Sequence, residues 1–427
     1  MEIRPDNERG SADPLRFRIG RPSNPPAHQP REEPADLSAP AGAPPPAVGA
    51  ALSEHEIHLI KASASAVAPV AEEMTVYFYA ILFARYPQVR PMFPPGMDAQ
   101  RGRLLRALLH IVDVVDDPEN LVRFCGHLGR DHRKFGTLAA HFPAVGECLL
   151  ASLARYAGPA WTQDIADAWT KAYGLVSQVM IAAAEEDEAV RPAVWPATVV
   201  HHLPRGHGIA EITVRPHLPY AYQAGQYVSM ETPWWPKLWR YYSPANAPRA
   251  DGTLTFHVRA VPGGSVSEAL VHRAAVGDVL RLGPPMGDMV LDAAVHKDLL
   301  CVAGGTGLAP MRALIEEVAR RGGRHQVDLF LGARTGDELY GVDDMLRMVQ
   351  QYHWLTLRGA VSHEHIPGLR GSLPQVLAEY GPWYQHDAFL SGPAAMVASA
   401  SETLTRHGTL PDRIHHDPFE TPVLSAR

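Results

Sequence analysis

The sequence predicts a multidomain chain: an all-α region, then an antiparallel β-barrel, then an α/β domain with a doubly wound parallel sheet. Three observations predict this order. Apolar residues recur at helical spacing, without a strand pattern, from Ser53 to about Glu186. Short β-rich runs separated by Pro, Gly and Asn follow as far as Leu282, which is typical of an antiparallel barrel. From Asp298 onward, apolar runs alternate with helical stretches, which favours a parallel sheet.

Length and composition indicate several cores and no membrane segment. The 427 residues suit about three domains. With 46% hydrophobic and 20% charged residues, no apolar run is long enough to span a bilayer. A formal net charge of −7 argues against nucleic acid as a partner, because such binding depends on neutralising phosphate. The polar start lacks the apolar core of a secretion signal, and the three cysteines stand singly in apolar segments. We expect a cytoplasmic monomer without a membrane span.

Changes in composition divide the chain into four segments. Residues 1–50 are rich in proline and mixed charge, and cannot bury enough apolar area to offset the entropy of ordering, so we expect a disordered tail. The helical region is predicted over residues 51–188, the barrel over 189–295 and the α/β domain over 296–427.

The helices of the first region have recognisable starts. Ser53 followed by Glu56 fits a capping box, and the apolar pattern then runs to Ile81 before prolines force a corner. Proline is tolerated in a first turn, so further helices are predicted to start at residues 117–118 and 142–143. The remaining helices are predicted over residues 101–115 and 161–186.

The two sheets are predicted from runs of β-forming residues. The barrel strands are predicted over residues 197–202, 209–214, 226–231, 254–261 and 279–282. The parallel strands are predicted over residues 299–302, 327–331, 354–357 and 388–390, and the helices between them near 309–320, 343–350, 373–380 and 394–406.

The residues around His132 carry the clearest chemistry. His132 lies near the end of an apolar helical block, and upstream segments carry Tyr79, Gln100 and, at a proline-rich corner, Phe93. A neutral imidazole facing a tyrosine and a glutamine across an apolar slot would form a haem b pocket. Histidine is the usual axial ligand of oxygen-binding haem, and distal donors tune the bound gas. Phe93 is placed to pack on the macrocycle. For His132 taken alone, a solvated or otherwise satisfied histidine is the alternative.

These residues resemble the flavohaemoglobin family. Residues 51–186 are similar to its globin domain, through Tyr79, Phe93, the 32-residue spacing from Gln100 to His132 and the segment 167–174. Residues 190–427 are similar to the flavin reductase module fused to that globin. The resemblance implies that His132 binds iron and that Tyr79 and Gln100 hydrogen-bond to O2.

Three ordered segments resemble FAD-binding elements of the ferredoxin–NADP reductase superfamily. They are residues 224–227, residues 240–243, which match an Arg-x-Tyr-Ser signature, and residues 263–267. In the third, glycines let backbone amides approach phosphate where a helix begins. The candidate FAD-binding residues are Gln226, Tyr227, Arg240, Tyr241, Tyr242, Ser243, Gly263, Gly264, Val266 and Ser267.

The resemblance also implies roles within the second segment. Arg240 neutralises the FAD pyrophosphate, a task that suits a planar guanidinium. Tyr242 packs on the flavin, and Ser243 hydrogen-bonds near its reactive edge. As an isolated tetrapeptide this segment would more often be strand surface, but the order of the three elements is specific.

A glycine-rich turn opens the α/β region. Residues 303–310 follow an apolar strand and precede a helix, which is the setting of a pyrophosphate cradle. The candidate NAD-binding residues are Gly304, Gly305, Thr306, Gly307 and Pro310. Pro310 stands in place of the third glycine of the dehydrogenase fingerprint, which points to the reductase type.

Two later elements are implied by the resemblance alone. Ser391, Gly392 and Pro393 match the nicotinamide-side turn, with serine where the family commonly has cysteine. Phe419 is the candidate for stacking on the flavin, and a C-terminal hydrophobic anchor is its alternative. Arg334 would suit the 2′-phosphate of NADPH, whereas the family resemblance favours NADH. We expect NADH and keep NADPH open.

Together these elements imply an NADH-dependent nitric oxide dioxygenase. NADH would reduce FAD, the flavin would pass single electrons to haem, and the partners O2 and NO would become nitrate. Behind the proximal histidine, where the best-known members carry tyrosine and glutamate, this chain has Phe142 and Ala184. Neither can relay the imidazole proton, so we expect weak imidazolate character. Asp131 and Glu185 are expected to face elsewhere.

Two other functions stay open. The departures at Phe142 and Ala184 favour a haem-linked FAD oxidoreductase acting on a quinone, a ferric compound or a lactate-like acid. A gas-binding sensor globin is the third hypothesis, although the sequence shows a complete reductase and no signalling output domain.

Overall fold

A computed structural model describes residues 51–292, 297–323, 325–364, 366 and 371–417. The predicted proline-rich tail and the candidate Phe419 lie outside these residues. The described chain forms a helical region, an antiparallel sheet and a parallel sheet, in that order. This confirms the predicted fold class.

The first region is built from α-helices, as the apolar spacing predicted. Ser53 and Glu56 form the expected capping box, with the Ser53 amide donating to the Glu56 carboxylate at 2.7 Å. The run predicted to continue to Ile81 is interrupted, because Pro69 opens a 3₁₀ turn between the first two helices. The helices are α1 (Glu54–Val67), α2 (Ala71–Arg85), α3 (Asp98–Asp113), α4 (Pro118–His132), α5 (Phe142–Ala157) and α6 (Gln163–Glu188).

Close packing of α4 on α6 orients the end of α4. A Cβ on Gly129 would lie 2.1 Å from the carbonyl oxygen of Met180, so glycine is required at this crossing. At the other end of α4 the Asp117 carboxylate accepts from the Asn120 amide at 3.1 Å. The helix is therefore fixed at both ends of its length, and its last residue is His132.

Within the described part of the chain, one helical stretch is long and apolar enough to cross a membrane by length and composition alone. It is Glu54–Arg85, which contains α1 and α2; the bent pair of segments 118–135 and 139–160 would pass only if counted as one span. A core helix meets the same criterion, and Ile60, Phe78 and Leu82 of this stretch are buried in the helical core. The absence of a membrane span stays a prediction.

The second region is a six-stranded antiparallel sheet in the order β4-β3-β6-β1-β2-β5. A bridge between Pro244 and Phe256 joins the chain just past β4 to β5, so the two edges of the sheet meet. Its elements are β1 (Trp195–Gly206), β2 (Ile209–Pro216), β3 (Tyr227–Thr232), β4 (Trp235–Tyr242), β5 (Leu254–Arg259), α7 (Ser265–His272) and β6 (Val279–Met286).

Strand β4 is absent from the sequence prediction. Pro236 lies inside it and Lys237 adopts a φ of 65°, two features that disfavour a regular strand. The strand forms at the sheet edge, where a missing amide donor is tolerated. It carries Arg240, Tyr241 and Tyr242.

The third region is a parallel sheet in the order β11-β10-β7-β8-β9. Helices α8 and α9 pack on one face with Cys301, and helices α10 and α11 on the other with Leu300, so the sheet is doubly wound as predicted. Its elements are β7 (Leu299–Gly304), α8 (Leu308–Arg320), β8 (Val327–Ala333), α9 (Val342–Gln351), β9 (Leu355–Val361), α10 (Leu373–Tyr380), β10 (Asp387–Ser391), α11 (Ala394–Arg406) and β11 (Ile414–His415).

Candidate functional site

The imidazole of His132 is oriented by its own helix. Its Nδ1 lies 2.7 Å from the carbonyl oxygen of Leu128, one turn earlier. Because a carbonyl oxygen can only accept, Nδ1 carries the proton and Nε2 keeps the lone pair that a metal binds. Burial lowers the pKa of His132, which keeps the ring neutral at pH 7. These features fit an axial ligand of haem.

The three distal candidates come together on the neighbouring helices α2 and α3 and the corner between them. Tyr79 is 6% exposed, and its side chain hydrogen-bonds to Gln100. Burial raises the pKa of Tyr79 to about 12, so the phenol keeps its proton and acts as a donor. The ring of Phe93 meets that of Tyr79 edge-on, with centroids 5.6 Å apart. Helix α3 also packs on α4, where the rings of His110 and Phe124 are 4.4 Å apart.

The two residues expected behind His132 lie at the start of α5 and on α6. Phe142 packs in the apolar cluster between α4 and α6, and Ala184 lies on α6. Neither side chain can accept the imidazole proton. The carboxylate of Asp131 binds the ammonium of Lys134 at 2.5 Å, and its charge partly offsets the effect of burial on the pKa of His132. Glu185 is exposed. The hydrogen bond to Leu128 is to a neutral carbonyl, which gives less electron donation than a carboxylate.

The Arg-x-Tyr-Ser segment lies at the end of β4, with Ser243 just beyond it. Tyr242 packs against the barrel core, and burial raises the pKa of its hydroxyl. Tyr241 is 39% exposed and its ring meets that of Tyr227 on β3, with centroids 5.2 Å apart. The guanidinium of Arg240 donates to the Trp239 carbonyl at 2.9 Å. The segment therefore combines one aromatic side chain in the core with one on the surface.

The other two FAD candidates lie in turns, one before α7 and one before β3. Helix α7 begins directly after Gly264, where a Cβ would lie 2.9 Å from the Val261 carbonyl oxygen. Ser267 donates to the Gly264 carbonyl at 3.1 Å, which fixes the turn, while Val266 is buried and Gly263 has a φ of 75°.

Gln226 fixes the turn before β3. Its side-chain oxygen accepts from the Gln223 amide at 2.9 Å, and its side-chain amide donates to the Gly287 carbonyl at 3.4 Å. Gln226 therefore has a structural role in the described chain.

The two predicted nucleotide turns lie side by side, because β7 and β10 are neighbours in the sheet. A Cβ on Gly307 would lie 2.3 Å from the Ser391 carbonyl oxygen, and one on Gly304 would lie 3.0 Å from Cδ of Pro393. The turn from β7 into α8 holds Gly305 and Thr306, and the buried Pro310 lies in the first turn of α8. Gly392 lies in the facing turn.

Two side chains near these turns were missed by the sequence analysis. A Cβ on Gly305 would lie 3.3 Å from Nη2 of Arg259, so this guanidinium lies beside the glycine-rich turn. Glu338 accepts from Nε of Arg334 at 3.0 Å at the end of β8. Both Arg259 and Glu338 line a cleft of about 500 Å³ between the barrel and the α/β region, together with Tyr340. The position of Arg259 at a strand end, just before Gly263, was the available sequence signal.

The last described residue, Asp417, lies against the barrel. A Cβ on Gly287 would lie 2.8 Å from the Asp417 carboxylate and 2.9 Å from the Tyr227 ring. Burial, together with Asp288, raises the pKa of Asp417 to about 7. The described chain thus ends beside Tyr227, two residues before the candidate Phe419.

Family models match all three regions. The globin model matches residues 76–180. The models described as oxidoreductase FAD-binding domain and oxidoreductase NAD-binding domain match residues 212–291 and 301–402.

Relatives match across all three regions. The flavohaemoprotein of Deinococcus radiodurans is 30% identical over 319 residues, which cover 70% of this chain and 78% of that protein. The flavohaemoprotein of Chromobacterium violaceum is 28% identical over 400 residues, covering 86% of this chain and 98% of that protein. In fold, the chain is similar to the crystal structure of the Malassezia yamatoensis flavohaemoglobin with bound FAD and haem. That match has a TM-score of 0.71 and 19% identity, and covers 86% of this chain and 99% of that one.

Three findings agree with one another. Family models match all three regions, relatives match most of the chain, and the candidate residues lie around His132, on β4 and at the turn after β7. The chain belongs to the flavohaemoprotein family and is an NAD(P)H-dependent oxidoreductase with haem- and FAD-binding domains.

Proposed function

We propose that this protein is an NADH-driven nitric oxide dioxygenase. The overall reaction is 2 NO + 2 O2 + NADH → 2 NO3⁻ + NAD⁺ + H⁺. The observation that carries the proposal is the buried Tyr79–Gln100 pair, a protonated donor placed in the same helical region as a histidine with a free Nε2. A hydrogen-bond donor on the distal side is what a bound diatomic ligand with partial negative charge requires.

When bound, haem supplies O2 binding and its transfer to NO, and FAD splits the hydride of NADH into single electrons. His132 would hold the iron through Nε2, since Nδ1 is committed to Leu128. Tyr79 would donate its phenol proton as a hydrogen bond, with Gln100 orienting the phenol. The rings of Phe93 and Tyr79, which meet edge-on, would help to exclude water from the bound ligand.

The reductase half would handle the nucleotide through backbone and cation contacts. The Gly304–Gly307 turn and the start of α8 offer amides for a pyrophosphate, with Arg259 beside them. Glu338 supports NADH over NADPH, because its carboxylate suits a ribose hydroxyl and repels a 2′-phosphate. Arg334, which could otherwise favour the phosphate, is engaged by Glu338.

A second function draws on Phe142 and Ala184. Without a carboxylate behind His132, the iron receives less electron donation, which disfavours rapid oxygen chemistry. The protein would then be a haem-linked FAD oxidoreductase that reduces or oxidises a quinone, a ferric compound or a lactate-like acid. A sensor that binds gas without turnover is the third outcome.

Stopped-flow mixing of the NADH-reduced, O2-equilibrated protein with NO separates these functions. The dioxygenase is expected to yield one nitrate per NO and to consume NADH in step. NADH oxidation that NO does not affect, without nitrate, would favour the other oxidoreductase. Stable gas binding without NADH consumption would favour the sensor.

We also propose a cytoplasmic location, since Cys125, Cys148 and Cys301 are buried free thiols, as suits a reducing compartment.

A further inference from the structure

Lys134 is a buried lysine two residues after His132. It lies in the 3₁₀ turn Arg133–Phe135 that directly continues α4, and it is only 3% exposed. Lysine is almost never this buried unless it is paired. Its Nζ binds the Asp131 carboxylate at 2.5 Å within the helical region.

The same ammonium reaches into the flavin-binding barrel. Nζ lies 3.2 Å from Oγ of Ser229 on β3. It also lies 5.3 Å from the ring centroid of Trp239 and 5.6 Å from that of Tyr241, both on β4. These distances allow cation–π attraction to both rings. Tyr241 belongs to the Arg-x-Tyr-Ser segment, so one side chain links the haem-binding helix to the flavin-binding strand.

The absence of a side chain at Gly283 makes room for Lys134 in the barrel. A Cβ on Gly283 of β6 would lie 2.2 Å from Oγ of Ser229 and 3.7 Å from Cδ of Lys134. Glycine at this position therefore leaves the space that the serine hydroxyl and the lysine stem occupy. Phe135 adds an apolar contact across the same boundary, with its ring centroid 6.4 Å from that of Trp239.

Stability alone does not account for a lysine here. A buried ion pair contributes little compared with apolar residues of similar volume, because removing both charges from water is costly. A methionine would fill the space among Phe135, Trp239 and Tyr241 without that cost. What the ammonium provides, and methionine cannot, is a directed contact with Ser229 and Asp131 at once.

We propose that Lys134 is a positioning residue that fixes the end of the haem-binding helix against the flavin-binding barrel. It thereby sets the rate of electron transfer from flavin to haem, and leaves hydride transfer from NADH to flavin unchanged. The proposal rests on the haem, FAD and NAD(P)H of the family and is independent of the reaction with NO.

Lys134→Met in the full-length holoprotein tests this proposal. After anaerobic mixing with NADH under carbon monoxide, flavin bleaching and haem reduction are followed at their separate wavelengths. Bleaching is expected to keep its rate to within about twofold, the scatter of independent sites. Haem reduction is expected to slow severalfold, because the rate of electron transfer falls steeply when the distance between the two cofactors is no longer held fixed. The carbon monoxide spectrum after dithionite reduction should match that of the wild type, which shows an intact haem site.

Two further variants complete the design. Lys171→Met is the matched control, because Lys171 pairs with Glu56 inside the helical region, at 2.8 Å; both rates should stay unchanged. Ser229→Ala removes the barrel-side oxygen with minimal disturbance and should slow haem reduction alone. The proposal is overturned if haem reduction keeps its rate in Lys134→Met, or if both rates fall together. Should Lys134→Met not fold, an unchanged haem reduction rate in Ser229→Ala overturns it.

Discussion

In the proposed function, the side chains of Tyr79 and Gln100 determine how tightly O2 is held. The phenol of Tyr79 is protonated at neutral pH, and burial, which raises its pKa to about 12, keeps it protonated in alkaline solution as well. Gln100 hydrogen-bonds to this phenol. Removing the hydroxyl leaves the ring in the core, where it packs against Phe93. Replacing Tyr79 with phenylalanine therefore removes the hydrogen bond and leaves the packing of the ring unchanged.

Tyr79→Phe is expected to raise the O2 dissociation rate of the reduced protein about tenfold, the value of one hydrogen bond of about 1.4 kcal/mol. Flash photolysis or O2 displacement by carbon monoxide measures this rate. Tyr77→Phe is the control on the same helix, since Tyr77 packs on Tyr156 with centroids 6.0 Å apart, away from Gln100. An unchanged dissociation rate in Tyr79→Phe would contradict a donor role for Tyr79.

The proposed preference for NADH over NADPH rests on the charge of Glu338, just past the end of β8. In Glu338→Gln the negative charge is lost and Arg334 is released from its ion pair. We expect kcat/KM for NADPH to rise relative to that for NADH, because the variant no longer repels the 2′-phosphate. Steady-state reduction of ferricyanide with NADPH and with NADH measures kcat/KM for each nucleotide. Glu402→Gln, which breaks the exposed pair with Arg406 on α11, should leave the ratio unchanged. A constant ratio in Glu338→Gln would remove Glu338 from the specificity site.

The sequence identified the residues that belong to local motifs and missed those whose partners are remote. Tyr79, His132 and Gly304–Gly307 could be found because helix spacing and a strand-to-helix turn are visible in a short window. Lys134 could not, because its contact Ser229 is 95 residues away. Glu338 could not be found either, because the cleft that it lines is formed with barrel residues such as Arg259, which are remote in the sequence.

At the scale of elements, the helix crossing between α4 and α6 holds His132 in place. Gly129 is one turn before His132, and its close approach to the Met180 backbone leaves no room for a methyl group.

Helices and strands were predicted correctly where the spacing of apolar residues was regular. They were missed where proline broke it, at Pro69 in the first helical run and at Pro236 in β4, because packing against the rest of the domain outweighs local preference.

Gly129→Ala is expected to lower the free energy of unfolding by about 1–3 kcal/mol through overpacking. It should also reduce haem retention, because α4 must shift away from α6. Urea unfolding and the ratio of Soret to protein absorbance check both effects. Gly96→Ala is the control, since a Cβ there meets nothing within 4 Å. Equal stability of the two variants would show that α4 moves freely.

At the scale of the whole molecule, the boundary between the barrel and the α/β region holds a buried histidine. His257 on β5 is 6% exposed, and its ring centroid is 5.4 Å from that of Tyr340. Neither ring nitrogen has a hydrogen-bond partner among the residues that the structure describes. Burial, then the charges of Arg312 and Arg205, lower the pKa of His257 to about 3.

This histidine makes stability depend on pH in acid. Above the unfolded pKa of about 6.5 the ring is neutral in both states and contributes nothing. Between that value and about 3, the unfolded chain binds a proton that the folded chain does not. The free energy of unfolding is therefore expected to fall by up to about 1.4 kcal/mol per pH unit. His257→Gln should flatten this slope in urea unfolding between pH 7 and 4, whereas exposed His353→Gln should not. Identical slopes in both variants would contradict the assignment.

The whole molecule joins a hydride-accepting half to a haem-binding half, and anaerobic addition of NADH under carbon monoxide tests this union most directly. We expect the flavin to bleach first and the carbon monoxide spectrum of reduced haem to follow. In His132→Ala the flavin should bleach without that spectrum, while His127→Ala, an exposed position on the same helix, should behave as the wild type. Flavin bleaching with haem that stays oxidised in the wild type, or an unchanged haem spectrum in His132→Ala, would contradict electron flow to an iron held by His132.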